Sequence, residues 1–211
     1  MDLVVLAADK TMRLTLRALL GRPQSLGIRS IEADLEFHPG HDSGVFRQGH
    51  EFLRFWQTRA SRALVVFDRD GCGGPQSREA LEAEAEARLE RSGWKDRSAA
   101  IVIDPELEAW FWSDSPHVGE VLGWRKSRSQ LEEWLVAKGH LRQGQRKPAK
   151  PKKAVEEALR YCKTPYSPSI YYDLAAQVSF QRCVDPAFLK LTSVLQQWFP
   201  PEGLRGENFG L

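Results

Sequence analysis

Two carboxylates, two residues apart, close an apolar run: in Ala63-Leu-Val-Val-Phe-Asp-Arg-Asp-Gly71, Asp68 and Asp70 end what reads as a buried strand. Alternation along an extended chain turns both side chains the same way, and Gly71, Gly73 and Gly74 let the backbone turn sharply beyond them. Oxygen ligands at this spacing suit Mg²⁺ (or Mn²⁺), which takes one or two carboxylates and keeps the rest of its shell for water and phosphate. The same residues equally suit a helix cap and a turn, with no ligand at all.

The elements that must position this pair follow from apolar periodicity. Leu3 to Ala7 is a short apolar strand, and Met12, Leu16, Leu19 and Leu20 recur at helical spacing from Lys10 until Gly21 and Pro23. Ile28 to Phe37 reads as a second strand ending at His38-Pro-Gly-His-Asp-Ser-Gly44, and Val45 to Thr58 as a helix. Arg62 to Phe67 has no polar face, Ser77 to Ser92 is a helix rich in Ala, Leu, Glu and Arg, and Ser98 to Ile103 is a fourth strand. Alternating strands and helices with continuous apolar strands predict an α/β fold: a mostly parallel four-stranded Rossmann-like sheet flanked by helices. Beyond residue 104 the patterns are helical, from Glu106 to Trp112, His117 to Leu122, Ser129 to Ala137, Lys153 to Cys162, Ser169 to Phe180 and Pro186 to Trp198. The chain therefore divides at 113/114 into an α/β part and a C-terminal helical appendage. No linker separates them, which predicts one packed unit. The five tryptophans of the second half sit inside amphipathic patterns and read as packing aromatics.

In an open parallel sheet, ligands bind beyond the carboxyl ends of the strands. Here each of those ends is acidic or rich in histidine: Asp9 and Lys10; His38, His41 and Asp42; Asp68 and Asp70; Asp104, Glu106 and Glu108. Packing alone gives no reason for carboxylates to gather at one rim, so the rim is the expected site. His38 and His41, with Pro39 and Gly40 between them, fit an ordinary turn as well as an extra base or ligand.

Asp9 in Leu3-Val-Val-Leu-Ala-Ala-Asp-Lys-Thr11, Asp68-Arg-Asp70 and Asp104-Pro-Glu-Leu-Glu-Ala-Trp110 together resemble the Toprim domain and the Toprim-like proteins of bacterial phage-defence loci, including the overcoming-lysogenization-defect nucleases. The resemblance covers roughly the first half of the chain. It departs at the first acid, where the family carries Glu and this chain carries Asp9, shorter by one methylene. It implies Mg²⁺-assisted phosphodiester hydrolysis, with cations held by Asp68, Asp70 and Glu106 or Glu108. On this reading Asp9 orients or deprotonates the nucleophile, Lys10 or Arg69 offsets phosphate charge, and His38 and His41 stand by as an extra base or ligand. The implied setting is an antiviral defence system, with other defence proteins as partners.

A net charge of +2 conceals strong segregation. Between Val121 and Pro168 there are twelve Lys and Arg against four Asp and Glu. The densest stretch, Lys138 to Lys153, has seven basic residues and no acid, and Pro148 and Pro151 predict a non-helical loop. Such a loop is the footprint of a polyanion, here a nucleic acid held by Lys147, Lys150, Lys152 and Lys153, or else a solvated solubilising segment. No apolar stretch approaches the roughly 18 residues of a membrane span, the start lacks a signal peptide's basic residues, and Cys72, Cys162 and Cys183 form no Cys-x-x-Cys pair. A cytosolic, metal-dependent nuclease is the leading expectation. A non-catalytic nucleic-acid-binding or assembly subunit is the second, and a small-molecule nucleotide hydrolase is a third, disfavoured by the absence of a Gly-rich phosphate loop.

Overall fold

The computed structural model describes residues 1–112, 115, 117–142, 144–145, 147–179 and 183–201. Ser113 and Asp114, where the sequence reading divides the chain, lie outside the described residues, as do Arg146 and the tail beyond Pro201. Four strands, β1 (Leu3–Ala7), β2 (Ala33–Phe37), β3 (Arg62–Asp68) and β4 (Ser98–Ile103), form one all-parallel sheet in the order β2-β1-β3-β4. Every residue of β1 is buried, as an apolar run between two helical layers must be. β2 is shorter than the expected Ile28–Phe37. The carboxylate of Asp2 takes the Glu32 N–H and the Arg29 guanidinium, so residues before Ala33 are tied to the chain's start instead of joining the ladder.

The helices are α1 (Lys10–Leu20), α2 (Pro23–Leu26), α3 (His41–Phe52), α4 (Arg78–Leu89), α5 (His117–Leu122), α6 (Arg128–Ala137), α7 (Pro151–Cys162), α8 (Pro168–Gln177) and α9 (Pro186–Trp198). α1 and α9 cover one face of the sheet and α3 and α4 the other, with α8 stacked on α1. A single apolar cluster runs from Leu3 through Trp110 to Phe199, so both halves of the chain share one core. No helix among the described residues is long and apolar enough to cross a membrane.

Beyond β4, two expected elements differ in kind or in where they begin. Glu106 to Trp112 is only a 3₁₀ turn, Leu107–Trp110, whose buried Leu107, Glu108, Ala109 and Trp110 plug the rim. The expected loop up to Lys153 instead gives way to α7 at Pro151, because proline's missing N–H is harmless at a first helical position.

The edge strand β4 is finished by side chains. Glu82 accepts from the Val102 N–H at 3.0 Å, and Glu86 accepts from the Ala100 N–H at 3.0 Å. Lys190 of α9 bridges the two carboxylates at 3.2 and 2.7 Å, and Arg78 holds Glu82 at 2.8 Å. One helix of acids thus stands in for a neighbouring strand's carbonyls, leaving β4 unavailable for edge-to-edge pairing. Removing Glu82, which is 4% exposed, strands the Val102 N–H and takes one of two carboxylates from both Arg78 and Lys190, which keep Glu79 and Glu86. E82A is expected to cost about 2 kcal/mol, the cost of one unsatisfied buried donor, a fall in Tm of about 4–8 °C by thermal melt, and E82Q less.

Candidate functional site

β1 and its neighbours on either side, β2 and β3, are reached by connections running in opposite directions, so the sheet's switch point lies between the carboxyl ends of β1 and β3. This is where open parallel sheets bind ligands. Asp68, the last residue of β3, sits there. Its Oδ1 is shut off from solvent and has no hydrogen-bond partner among the described residues. Burial first, then the charges of Asp42, Glu108 and Asp9, push the Asp68 carboxyl well above the usual range, against a single opposing N–H from Leu107. Burial and three neighbouring carboxylates both disfavour the charged form of Asp68.

Asp42 is the member of this group that the sequence reading passed over as a ligand. The chain folds into α3 four residues earlier than expected, starting at His41, so Asp42 occupies the helix's first turn. Its Oδ1 accepts the Asp68 N–H at 2.8 Å, and its carboxyl is raised by burial and by Asp9, against that bond, one from its own N–H and the charge of His41. A Cβ on Gly71 would collide with the Asp42 carboxylate, so glycine is required at that place to let the acid approach β3. The signal was present in His38-Pro-Gly-His-Asp: an Asp two residues after a glycine suits a helix's first turn.

Asp70 does not join Asp68. Alternation holds only while the backbone is extended, and Arg69 is already helical (φ −61°, ψ −47°), so Asp70 begins a 3₁₀ turn and is exposed. Asp9 caps α1, accepting the Met12 N–H at 2.8 Å, while Lys10 is exposed. His38 is buried, and its Nδ1 accepts the Gly40 N–H at 2.9 Å. Burial and then His41 hold it below the usual histidine range, so it is a neutral ring packed on Phe52, while His41 itself is exposed. Arg69 pairs with Asp104 at 3.2 Å. Cys72 is buried, its thiol pushed up to about 12 by burial and then by Asp42 and Asp68, which makes it a poor nucleophile.

On the far side, Glu108 is buried and accepts the Tyr171 hydroxyl at 2.7 Å; burial raises its carboxyl despite that bond. Glu106 accepts the Lys152 N–H at 2.9 Å. Lys152, expected in a free basic loop, therefore stands at the acid rim in the first turn of α7. Partial burial lowers its ammonium, but Glu108, Glu106, Asp68 and Glu156 outweigh this and hold it above the usual value. Lys147 is also committed, to Asp185 at 3.5 Å. Lys150 and Lys153 are exposed, as is Lys152 itself.

Among the described residues, no group of three or more His, Cys, Asp or Glu side chains is gathered closely enough to hold a metal ion. The donor chemistry still fits Mg²⁺, which needs only one or two carboxylates with water completing an octahedron. Asp68, with its orphaned Oδ1, and Asp42 or Glu108 are the residues that would hold it. Compared with known proteins, the chain matches no family model, no curated protein and no solved structure.

Proposed function

We propose that the chain is a Mg²⁺-dependent phosphodiesterase, a Toprim-like nuclease serving a bacterial antiviral defence system. The observation that carries this reading is the buried, unpartnered Asp68 Oδ1, on a carboxyl in the field of Asp42, Glu108 and Asp9, at the switch point of a parallel sheet. When bound there, the cation would polarise a phosphate and acidify a bound water. The chain's own groups do the rest. Asp42 and Glu108 fix the position of Asp68's neighbourhood through the Asp68 N–H and the Tyr171 hydroxyl, and Asp9, whose charge is felt at Asp68, would orient a nucleophilic water. Lys152 supplies positive charge where a scissile phosphate would lie.

The test is cleavage of labelled single- and double-stranded DNA and RNA with Mg²⁺, with Mn²⁺ and with EDTA. Metal-dependent cleavage by the native chain and none by D68N is the expected result. A second reading, a non-catalytic nucleic-acid-binding or assembly subunit, draws on the fact that Asp9, Asp42 and Glu108 each already hold a protein hydrogen bond. It stands if the native chain binds nucleic acid and cleaves none of these substrates.

The basic segment contributes backbone contacts on either reading. With Lys147 paired to Asp185 and Lys152 set at the acid rim, Lys150 and Lys153 are two exposed lysines of this segment without an ion pair among the described residues. K150A/K153A is expected to weaken binding uniformly across sequences and to lower the slope of log affinity against log salt by about two units, one per lost contact. An unchanged slope, measured by fluorescence anisotropy, reduces the segment to a solubilising one.

A further inference from the structure

A cavity of about 400 Å³, lined by Glu156, Leu159, Arg160, Thr164 and Tyr166, is not used by the chemistry above. Two connections tie it to the acid rim. Lys152, Glu156 and Arg160 are four residues apart on α7 and so share one face, spanning about 12 Å at 1.5 Å per residue. Independently, the Tyr166 ring meets Tyr171 edge-on at 6.1 Å, and the Tyr171 hydroxyl is bonded to Glu108. One end of this face lies in the field of Asp68, and the other opens into the cavity.

We infer that this cavity receives the nucleobase adjacent to the phosphate held at the rim, and that the chain therefore prefers single-stranded nucleic acid. The inference rests on the nuclease reading for the position of that phosphate. Tyr166 is 54% exposed, a flat aromatic wall that the core does not need. Leu159 gives an apolar floor, the Glu156 carboxylate can accept from a base's amino edge, and Arg160 offers a guanidinium to stack on a base or meet the next phosphate. The volume lies within the range of small-ligand pockets. The surrounding segment, with its excess of eight positive charges between Val121 and Pro168, attracts the polyanion. A paired base cannot leave its stack to enter without an energetic cost, whereas a single strand presents it freely.

The experiment is fluorescence anisotropy of the full chain with a labelled dodecameric strand, alone or annealed to its complement, in EDTA at several salt concentrations. Native protein is expected to bind the single strand about ten-fold or more tightly than the duplex. Y166A should lose about ten-fold of single-strand affinity while keeping its duplex affinity and its salt slope, because stacking releases no counterions. Y166F should match the native chain. Y166L, which keeps apolar packing against Tyr171 without a ring, should match Y166A. Equal single-strand affinity for Y166A and native protein, or a native preference for duplex, overturns the inference. Failure of the metal reading is separate: D68N retaining the native heat of Mn²⁺ binding would remove the metal while leaving the Tyr166 result intact.

Discussion

Replacing Asp68 with Asn should raise the melting temperature at neutral pH and abolish Mn²⁺ binding. Both effects have one origin, a buried carboxylate oxygen without a partner among other acids. The asparagine oxygen can keep the Leu107 N–H, and its amino group can donate to the acids that repel the native carboxylate. Relief of one unsatisfied buried acceptor is worth about 1 kcal/mol or more, about 2–4 °C per kcal/mol in a chain of this size. The gain depends on pH in a defined direction. The folded state holds the Asp68 proton more tightly than the unfolded chain, whose aspartates titrate at about 3.9. Between that value and the raised folded one the native state binds more protons, so native stability falls as pH rises through the window. The melting difference between D68N and native protein should therefore be full above the folded value and shrink to nothing near pH 4. Adding Mn²⁺ should reverse the order. At a hundred-fold excess over Kd the native chain gains about 2.7 kcal/mol and the variant nothing. Equal heats by titration calorimetry, or equal Mn²⁺-induced shifts in Tm, would sink the assignment of a metal to Asp68.

The sheet was legible because its strands are buried on both faces. Leu3–Ala7, residues 63–67 within the expected Arg62–Phe67, and residues 99–103 within Ser98–Ile103 each read as an unbroken apolar run, and alternation of such runs with helical patterns is what a parallel sheet under two helical layers requires. β2, an edge strand with a half-exposed face, gave a weaker pattern and was read five residues too long at its start. The rim was legible as a place, since topology brings every strand's carboxyl end to one side. Its membership was not. Period-two alternation linked Asp70 to Asp68, but one helical residue, Arg69, broke the period. Asp42 lay on the rim by sequence, but its pairing with Asp68 across 26 residues, and the arrival of Lys152 beside Glu106 across 46, come from contacts between elements remote in sequence. Charge density made Lys147 to Lys153 look like one loop, because composition cannot separate a lysine facing solvent from one facing an acid.

A fragment ending at Asp104 should be unfolded or insoluble even though it contains all four strands. Strand order fixes this. From β2 to β3 and from β3 to β4 the chain moves across the sheet in one direction, whereas β1 to β2 moves in the other. Crossovers of a single hand put α3 and α4 on one face and α1 on the opposite one. Nothing within residues 1–104 then covers β3 and β4 on the α1 face. That cover is α9, which packs on β4 and on α2 and buries Phe188, Leu191 and Leu195. Burial of these three side chains stabilises by about 1.5–3 kcal/mol each, comparable in sum to the roughly 5–15 kcal/mol that holds a domain together. Truncation also takes α8 from α1, with the bonds from Arg22 to Ala175 and Val178 at 2.7 and 2.9 Å, and removes Lys190 from Glu82 and Glu86. The fragment would expose one face of two apolar strands and leave two acids against the β4 edge without their shared cation. Far-UV circular dichroism and sedimentation of the 1–104 fragment decide it. A soluble, cooperatively melting product would mean that the sheet stands alone, that α9 is an ornament on β4, and that Glu106 and Glu108 belong to a separable arm and not to a rigid site.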